Sequence, residues 1–272
     1  MAIIKTPAWL YEQFDADPGR DVPAESYNGW KKKTVEIDTD HTALVVMHAW
    51  SCGTPDQFPG WYRHVEYLSR ANKILKDIFP GLLAASRASP LRVIHVVSGG
   101  NYYKKLPGYI TIRRLAWWRE LTGHAEHIPR DPARQKLDAI RGNIGGQHNQ
   151  ADIKRGFEQL DFPAEARPAG DELIAENTPQ LLAACKKYRI SHLIYAGFAI
   201  NWCLLLSPGG MADMTRHGVL CSAIRQATTA VENKETARQE LNKESALWRV
   251  ALAFGFVFDV DDIVAALETT KK

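Results

Sequence analysis

The stretch Gly197-Phe198-Ala199-Ile200-Asn201-Trp202-Cys203 sets a thiol a few residues beyond HLIYAGF (192–198), an apolar run that reads as a buried strand. Two proton-exchanging groups hold comparable places. His48 follows the apolar run of TALVVMHAW (42–50), and Glu176 closes DELIAEN (171–177). A thiol attacks as its thiolate, and an adjacent imidazole can lower its pKa below the ordinary value of about 8.5. A carboxylate beside the ring can orient it. Cys203, His48 and Glu176 could therefore form a Cys–His–carboxylate set that attacks a carbonyl and forms an acyl-enzyme. Ser98 ends LRVIHVVS (91–98) on the same presumed edge. Taken singly, each residue has a plainer reading. Cys203 is a small buried hydrophobe, His48 a satisfied polar residue at a strand end, and Glu176 a solvated strand end or a helix cap. Cys52, four residues after His48, either lines the pocket or fills a Gly/Pro loop. Trp50 and Trp202 flank the presumed site and offer either a flat apolar wall or core packing.

The elements that position these residues follow from periodicity. Strands are expected at 42–48, 91–98, 171–176, 192–198, 219–224 and 256–258. Residues 61–88 carry apolar residues at helical spacing, in two pieces divided near Pro80. TPQLLAACKKYRI (178–190) starts a helix with Thr178 as N-cap and Pro179 at its first position. CLLLSPGGMADMTRHG reads as a helix ending at Gly218, NKESALWRVALAFG as one closed by Gly255, and the last helix is capped by Asp259 or Asp261. Strands alternating with helices imply an α/β domain, three-layered αβα, with a six-stranded, mainly parallel sheet. Ligands of such sheets bind beyond the carboxyl ends of the strands, where His48, Ser98, Glu176 and the loop before Cys203 fall. Residues 1–40, rich in Pro and Gly, read as an arm over the surface of a single domain spanning 41–272. Residues 101–167 read as an insertion able to cover the site.

The chain has 272 residues, 45% apolar and 24% charged, which suits a globular protein with a sizeable core. A net charge of +3 does not imply a nucleic-acid or membrane partner. No long apolar run suggests a membrane span, and the N-terminus does not read as a signal peptide, so the cytoplasm is the default compartment. The four cysteines, Cys52, Cys185, Cys203 and Cys221, lack metal-ligand spacing. No dinucleotide fingerprint or phosphate loop follows the first buried strand, so no cofactor is indicated. Lys31-Lys32-Lys33 reads as a solvated face, and Trp117-Trp118 as a lid or a subunit contact.

The frame around Cys203 resembles the isochorismatase-like cysteine hydrolase family, which includes nicotinamidases and carbamoylsarcosine amidohydrolase. That family's strand, G-V-A-T-D-x-C and helix align with Gly197, Ala199 and Cys203 here. The tail from RHGVLCSAIRQATTAVE to ALAFGFVFDVDDIVAAL is similar too. The resemblance covers about 42–98 and 171–267 and implies strand order 3-2-1-4-5-6. It also implies a cis peptide between Phe198 and Ala199, and an oxyanion held by the backbone N–H groups of Ala199 and Cys203. Two of its three catalytic residues differ: His48 stands where the family has Asp, and Glu176 where it has Lys. Ile200 and Asn201 replace the family's Thr and Asp. Ser98-Gly99-Gly100 occupies the place of the Asp-x-His of metal-binding members, so no metal is expected. The implied activity is hydrolysis of a C–N amide bond in a small molecule by a homo-oligomer, dimer or tetramer. The other reading is a catalytically lapsed relative that binds small molecules or builds an assembly. Vinyl-ether hydrolysis, which needs no thiol, is a third.

Overall fold

Fully apolar runs belong in strands covered on both faces. Residues 43–47 form such a run, and the strand that contains it, Thr42–Met47, is buried at every position. The computed structural model describes residues 2–122 and 129–270, the side chains at 118–122 excepted. In chain order its strands are β1 (Ile3–Glu12), β2 (Gly29–Asp38), β3 (Thr42–Met47), β4 (Arg92–Val96), β5 (Leu173–Ala175), β6 (His192–Phe198), β7 (Leu220–Thr229) and β8 (Val257–Phe258). The helices are α1 (Pro59–His64), α2 (Leu68–Asp77), α3 (Phe79–Ala88), α4 (Pro107–Thr122), α5 (Pro132–Arg141), α6 (Gln150–Glu158), α7 (Thr178–Tyr188), α8 (Met211–Arg216), α9 (Leu241–Arg249) and α10 (Val260–Glu268).

These strands form one eight-stranded sheet in the order β2-β1-β8-β7-β6-β3-β4-β5. From β8 to β5 each neighbouring pair is parallel, whereas β1 is antiparallel to both β2 and β8. The sheet is thus mixed and wider than the six strands expected. The N-terminal arm is the reason for the difference. It folds as a hairpin that adds β1 and β2 to the sheet, with Ile4, Thr6 and Ala8 buried at every second position of β1. Its outer strand carries Lys31, Lys32 and Lys33 along the rim. Lys33 pairs with Glu12, and Lys32 with Asp259 and Asp262. Asp259 precedes α10, but its carboxylate accepts from Trp9 Nε1 (2.8 Å), Lys32 Nζ (3.0 Å) and Gln226 Nε2 (3.1 Å) and does not cap the helix, whose first amide, Val260 N, donates instead to Gln226 Oε1 (2.9 Å). The hairpin is thereby pinned to the body of the sheet.

Alternation along β3 divides the core. Val45 and Met47 face a cluster with Ile112 of α4, Leu181 of α7 and Met211 of α8. Leu44 and Val46 face another with Leu75 of α2, Phe79 of α3 and Ile263 of α10. Sheet between helical layers gives the three-layer arrangement. The insertion supplies α4, α5 and α6, and α4 packs on α7 and β5. Gly108 makes that approach possible, since a Cβ there would lie 1.9 Å from Glu172 O. Several expected bounds shift. The helical stretch after β3 divides into three pieces, and β5 shrinks to three residues. The long helix expected from Cys203 is a π-helical turn, Ile200–Leu204, separated by Gly209 and Gly210 from the short α8.

Candidate active site

Strand register brings the candidate residues to one edge. Met47 is level with Gly197 on one side and Val96 on the other, and Val96 with Ala175. The residues that follow, His48, Phe198 and Glu176, are therefore aligned at the carboxyl ends of β3, β6 and β5. Close approach of β3 and β6 requires glycine at 197. Its φ is +132°, and a Cβ would fall 1.9 Å from Met47 O. The Phe198–Ala199 peptide is cis. Both residues are buried.

Cys203 lies in the π-helical turn, half-buried, against the cluster formed by the α4 and α7 face. Ile200 and Leu204 anchor the turn in the core, and Leu204 N donates to Ala199 O at 3.1 Å. Asn201 fixes the turn from outside. Its amide donates to Val231 O (2.8 Å) and accepts from Val231 N (2.9 Å), so it holds backbone and is not presented to a ligand. Trp202 is 58% exposed, so its ring is not packed in the core.

His48 is buried and takes left-handed φ of +51°, its amide donating to Val96 O at 2.8 Å. Burial lowers its pKa to about 4, so the ring is neutral at neutral pH. A neutral imidazole is the form that can accept a thiol proton. Among the described residues no hydrogen bond or ion pair joins His48 to Cys203 or Glu176. Glu176 is engaged elsewhere. Tyr103 Oη donates to Oε2 (2.7 Å) and Tyr109 Oη to Oε1 (2.6 Å), while Glu176 N donates to Gln180 Oε1 (2.8 Å). The expected orienting contact from Glu176 to the imidazole is thus absent from the resting geometry, because two phenols occupy the carboxylate.

The remaining candidates disperse. Ser98 is exposed. Trp50 stacks edge-on against Trp61, with centroids 5.4 Å apart. Cys52 is buried with Phe58, Trp61, Leu68 and Leu160, and burial pushes its thiol up to about 11, which suits packing and not catalysis. Cys185 and Cys221 are core residues, as their mid-element positions suggest. Trp117 is exposed, and the side chain of Trp118 lies outside the described residues. Sequence reasoning missed Tyr103, Tyr109 and Gln180 around the carboxylate. It also missed Tyr67, whose buried phenol is pushed upward chiefly by desolvation and lies within electrostatic reach of the Cys203 sulfur. The only sequence signal was the tyrosine-rich stretch directly after β4. Among the described residues, no group of three or more His, Cys, Asp or Glu could hold a metal.

No family model and no curated relative matches the chain. Solved structures do. The cysteine hydrolase of Pseudomonas syringae pv. phaseolicola 1448A superposes with a TM-score of 0.51 over 86% of this chain and 95% of its own, at 14% identity. An isochorismatase-like hydrolase from Alkaliphilus metalliredigens matches 83% of this chain and 98% of its own, with a TM-score of 0.41 and 16% identity. N-carbamoylsarcosine amidase from Thermoplasma acidophilum matches 81% and 96%, with a TM-score of 0.39 and 14% identity. At such identities the likeness is one of fold.

Proposed function

We propose that this chain, which resembles the isochorismatase-like cysteine hydrolases in fold, is a cysteine-dependent hydrolase that opens a C–N amide bond of a small molecule. One observation supports this reading most: the register that levels Met47 with Gly197. It makes His48 and the turn bearing Cys203 leave neighbouring strands at one edge. In the proposed reaction Cys203 gives its proton to neutral His48, and the sulfur attacks the carbonyl carbon. The amide N–H groups of Ala199 and Cys203 receive the developing oxyanion. The C–N bond breaks, the proton passes from His48 to the departing amine, and a thioester remains. Water then adds to the thioester, and the carboxylic acid and free thiol are released. Glu176, held by Tyr103 and Tyr109, presents a fixed carboxylate near this edge and does not act on the imidazole directly. No cofactor enters these steps. Assembly into a dimer or tetramer belongs to the same proposal, and light scattering reads it.

The test is a panel of small amides followed by intact mass. The parent protein should hydrolyse at least one and show a transient acyl mass on the Cys203 peptide, and Cys203→Ala should do neither. Hydrolysis that survives Cys203→Ala refutes the thiol mechanism and leaves the vinyl-ether type of chemistry. A second reading, a lapsed relative that only binds, is favoured by a His48 ring that, among the described residues, bonds neither Cys203 nor Glu176, and by the tyrosine-engaged Glu176. It predicts that His48→Gln leaves the rate of Cys203 alkylation by iodoacetamide unchanged. The hydrolase reading predicts a clear fall, since loss of a general base typically costs a factor of about 10² or more.

A further inference from the structure

The insertion carries a local excess of positive charge. Residues 101–167 contain twelve Lys and Arg against eight Asp and Glu, a local net charge of +4 in a chain whose total is +3. The α5 helix concentrates it. Asp131 caps the helix, accepting from Arg134 N at 2.8 Å, and none of its ten residues is buried. Beside it opens a cavity of about 410 Å³ lined by Arg130, Arg134, Asp138, Arg141, Asn143 and Ile144. Asp138 is the single carboxylate among these residues. It pairs with Arg134 (3.0 Å) and more loosely with Arg130 (3.9 Å). Three guanidiniums thus share one carboxylate, which leaves a surplus of two positive charges. A planar guanidinium matches the oxygens of a phosphate group in geometry as well as in charge.

The same helix bears an apolar stripe. At about 100° per residue, Ala133, Leu137 and Ile140 share one side, a quarter turn from the Arg134–Asp138–Arg141 side. Leu137 is 64% exposed, Ile140 84%, and Ile144 just beyond the helix 78%. No part of the described chain covers them. A free phosphate or a nucleic acid would satisfy the arginines and leave this stripe in water. An anionic phospholipid surface satisfies both, because it sets phosphate groups directly above hydrocarbon.

We propose that α5 and the arginine-lined cavity beside it form a docking site for the surface of an anionic phospholipid membrane. The helix lies in the plane of the headgroups, with Leu137, Ile140 and Ile144 inserted and Arg130, Arg134 and Arg141 on lipid phosphates. This site is independent of the hydrolase reading. It requires no crossing helix, and among the described residues no helix is long and apolar enough to span a bilayer. The low total charge, which argued against a membrane partner, conceals an uneven distribution.

Co-sedimentation of the full chain with vesicles tests the site. The protein should partition onto phosphatidylcholine–phosphatidylserine vesicles and not onto phosphatidylcholine alone. Arg134→Gln and Arg141→Gln should each weaken partition about fivefold, the ordinary contribution of one basic residue at such a surface. Leu137→Ser with Ile140→Ser should also weaken it, while circular dichroism and the rate of Cys203 alkylation stay at parent values. Absence of binding to phosphatidylserine vesicles overturns the proposal. So does equal binding by the arginine variants. Arginine-dependent binding of inorganic phosphate or of a labelled oligoribonucleotide, without vesicle binding, reassigns the cavity and overturns it as well.

Discussion

Two phenols on one carboxylate are an expensive arrangement to leave incomplete. Tyr103 and Tyr109 are nearly buried, and each gives Glu176 a short hydrogen bond. Hydrogen bonds to a charged acceptor contribute roughly 1.5–3 kcal/mol each. Tyr103→Phe and Tyr109→Phe should each lower the unfolding free energy by about 2 kcal/mol in urea titrations, and the double variant by less than twice that if Gln180 takes up the freed oxygen. The histidines give a pH signature. Burial sets both His48 and His192 at about 4. In the unfolded chain an imidazole takes its proton near 6.5. Between those values the unfolded state binds more protons, so stability is full above about pH 6.5 and falls as pH drops toward 4, by up to about 3 kcal/mol for each ring. Urea midpoints at pH 7 and pH 5 should differ less in His48→Asn than in the parent. The thiol itself was legible, because Gly197, Ala199 and Cys203 lie within one short frame. The tyrosines were not. They stand 73 and 67 residues from their carboxylate, and only the folded insertion brings them to it.

At the scale of elements, the parallel strands were readable because continuous apolar runs leave few alternatives. The hairpin was not. Pro7 sits inside β1, opposite Thr34, and three lysines sit inside β2, so composition argued for a loose arm. Tertiary pairing overrode both signals, since Ile4, Ala8 and Ile37 reach the core on one face of the sheet. The helix expected from Cys203 failed for a local reason. The turn is wound with i to i+5 bonding and then interrupted by the glycine pair before α8, which leaves Cys203 at a partly open position. The seam between β3 and β6 sets the level of His48 against Cys203. Gly197→Ala would drive a methyl group into Met47 O and should cost at least about 3 kcal/mol, seen as a large drop in melting temperature or as insoluble protein. A soluble Gly197→Ala protein with parent stability would show that the seam is looser than described.

For the whole molecule, the hairpin is an edge closure as much as an extension. Without β1 and β2 the two-residue β8 would become the rim, and Trp9, Ile4 and Ala8 would no longer cover their neighbours. Deleting residues 2–38 should lower the melting temperature by several degrees and raise the aggregation rate, measured by calorimetry and light scattering. At the opposite end β5 is three residues long and lies under α4. The native rim bears Lys31, Lys32 and Lys33 in succession, and replacing all three with valine should produce thioflavin-positive material where the parent stays clear. Ammonium groups along one border and a roofed-over stub along the other leave crowded copies no seam to stitch. Association between copies is therefore expected to avoid strand pairing and to use other surfaces, with the backbone ladder kept private.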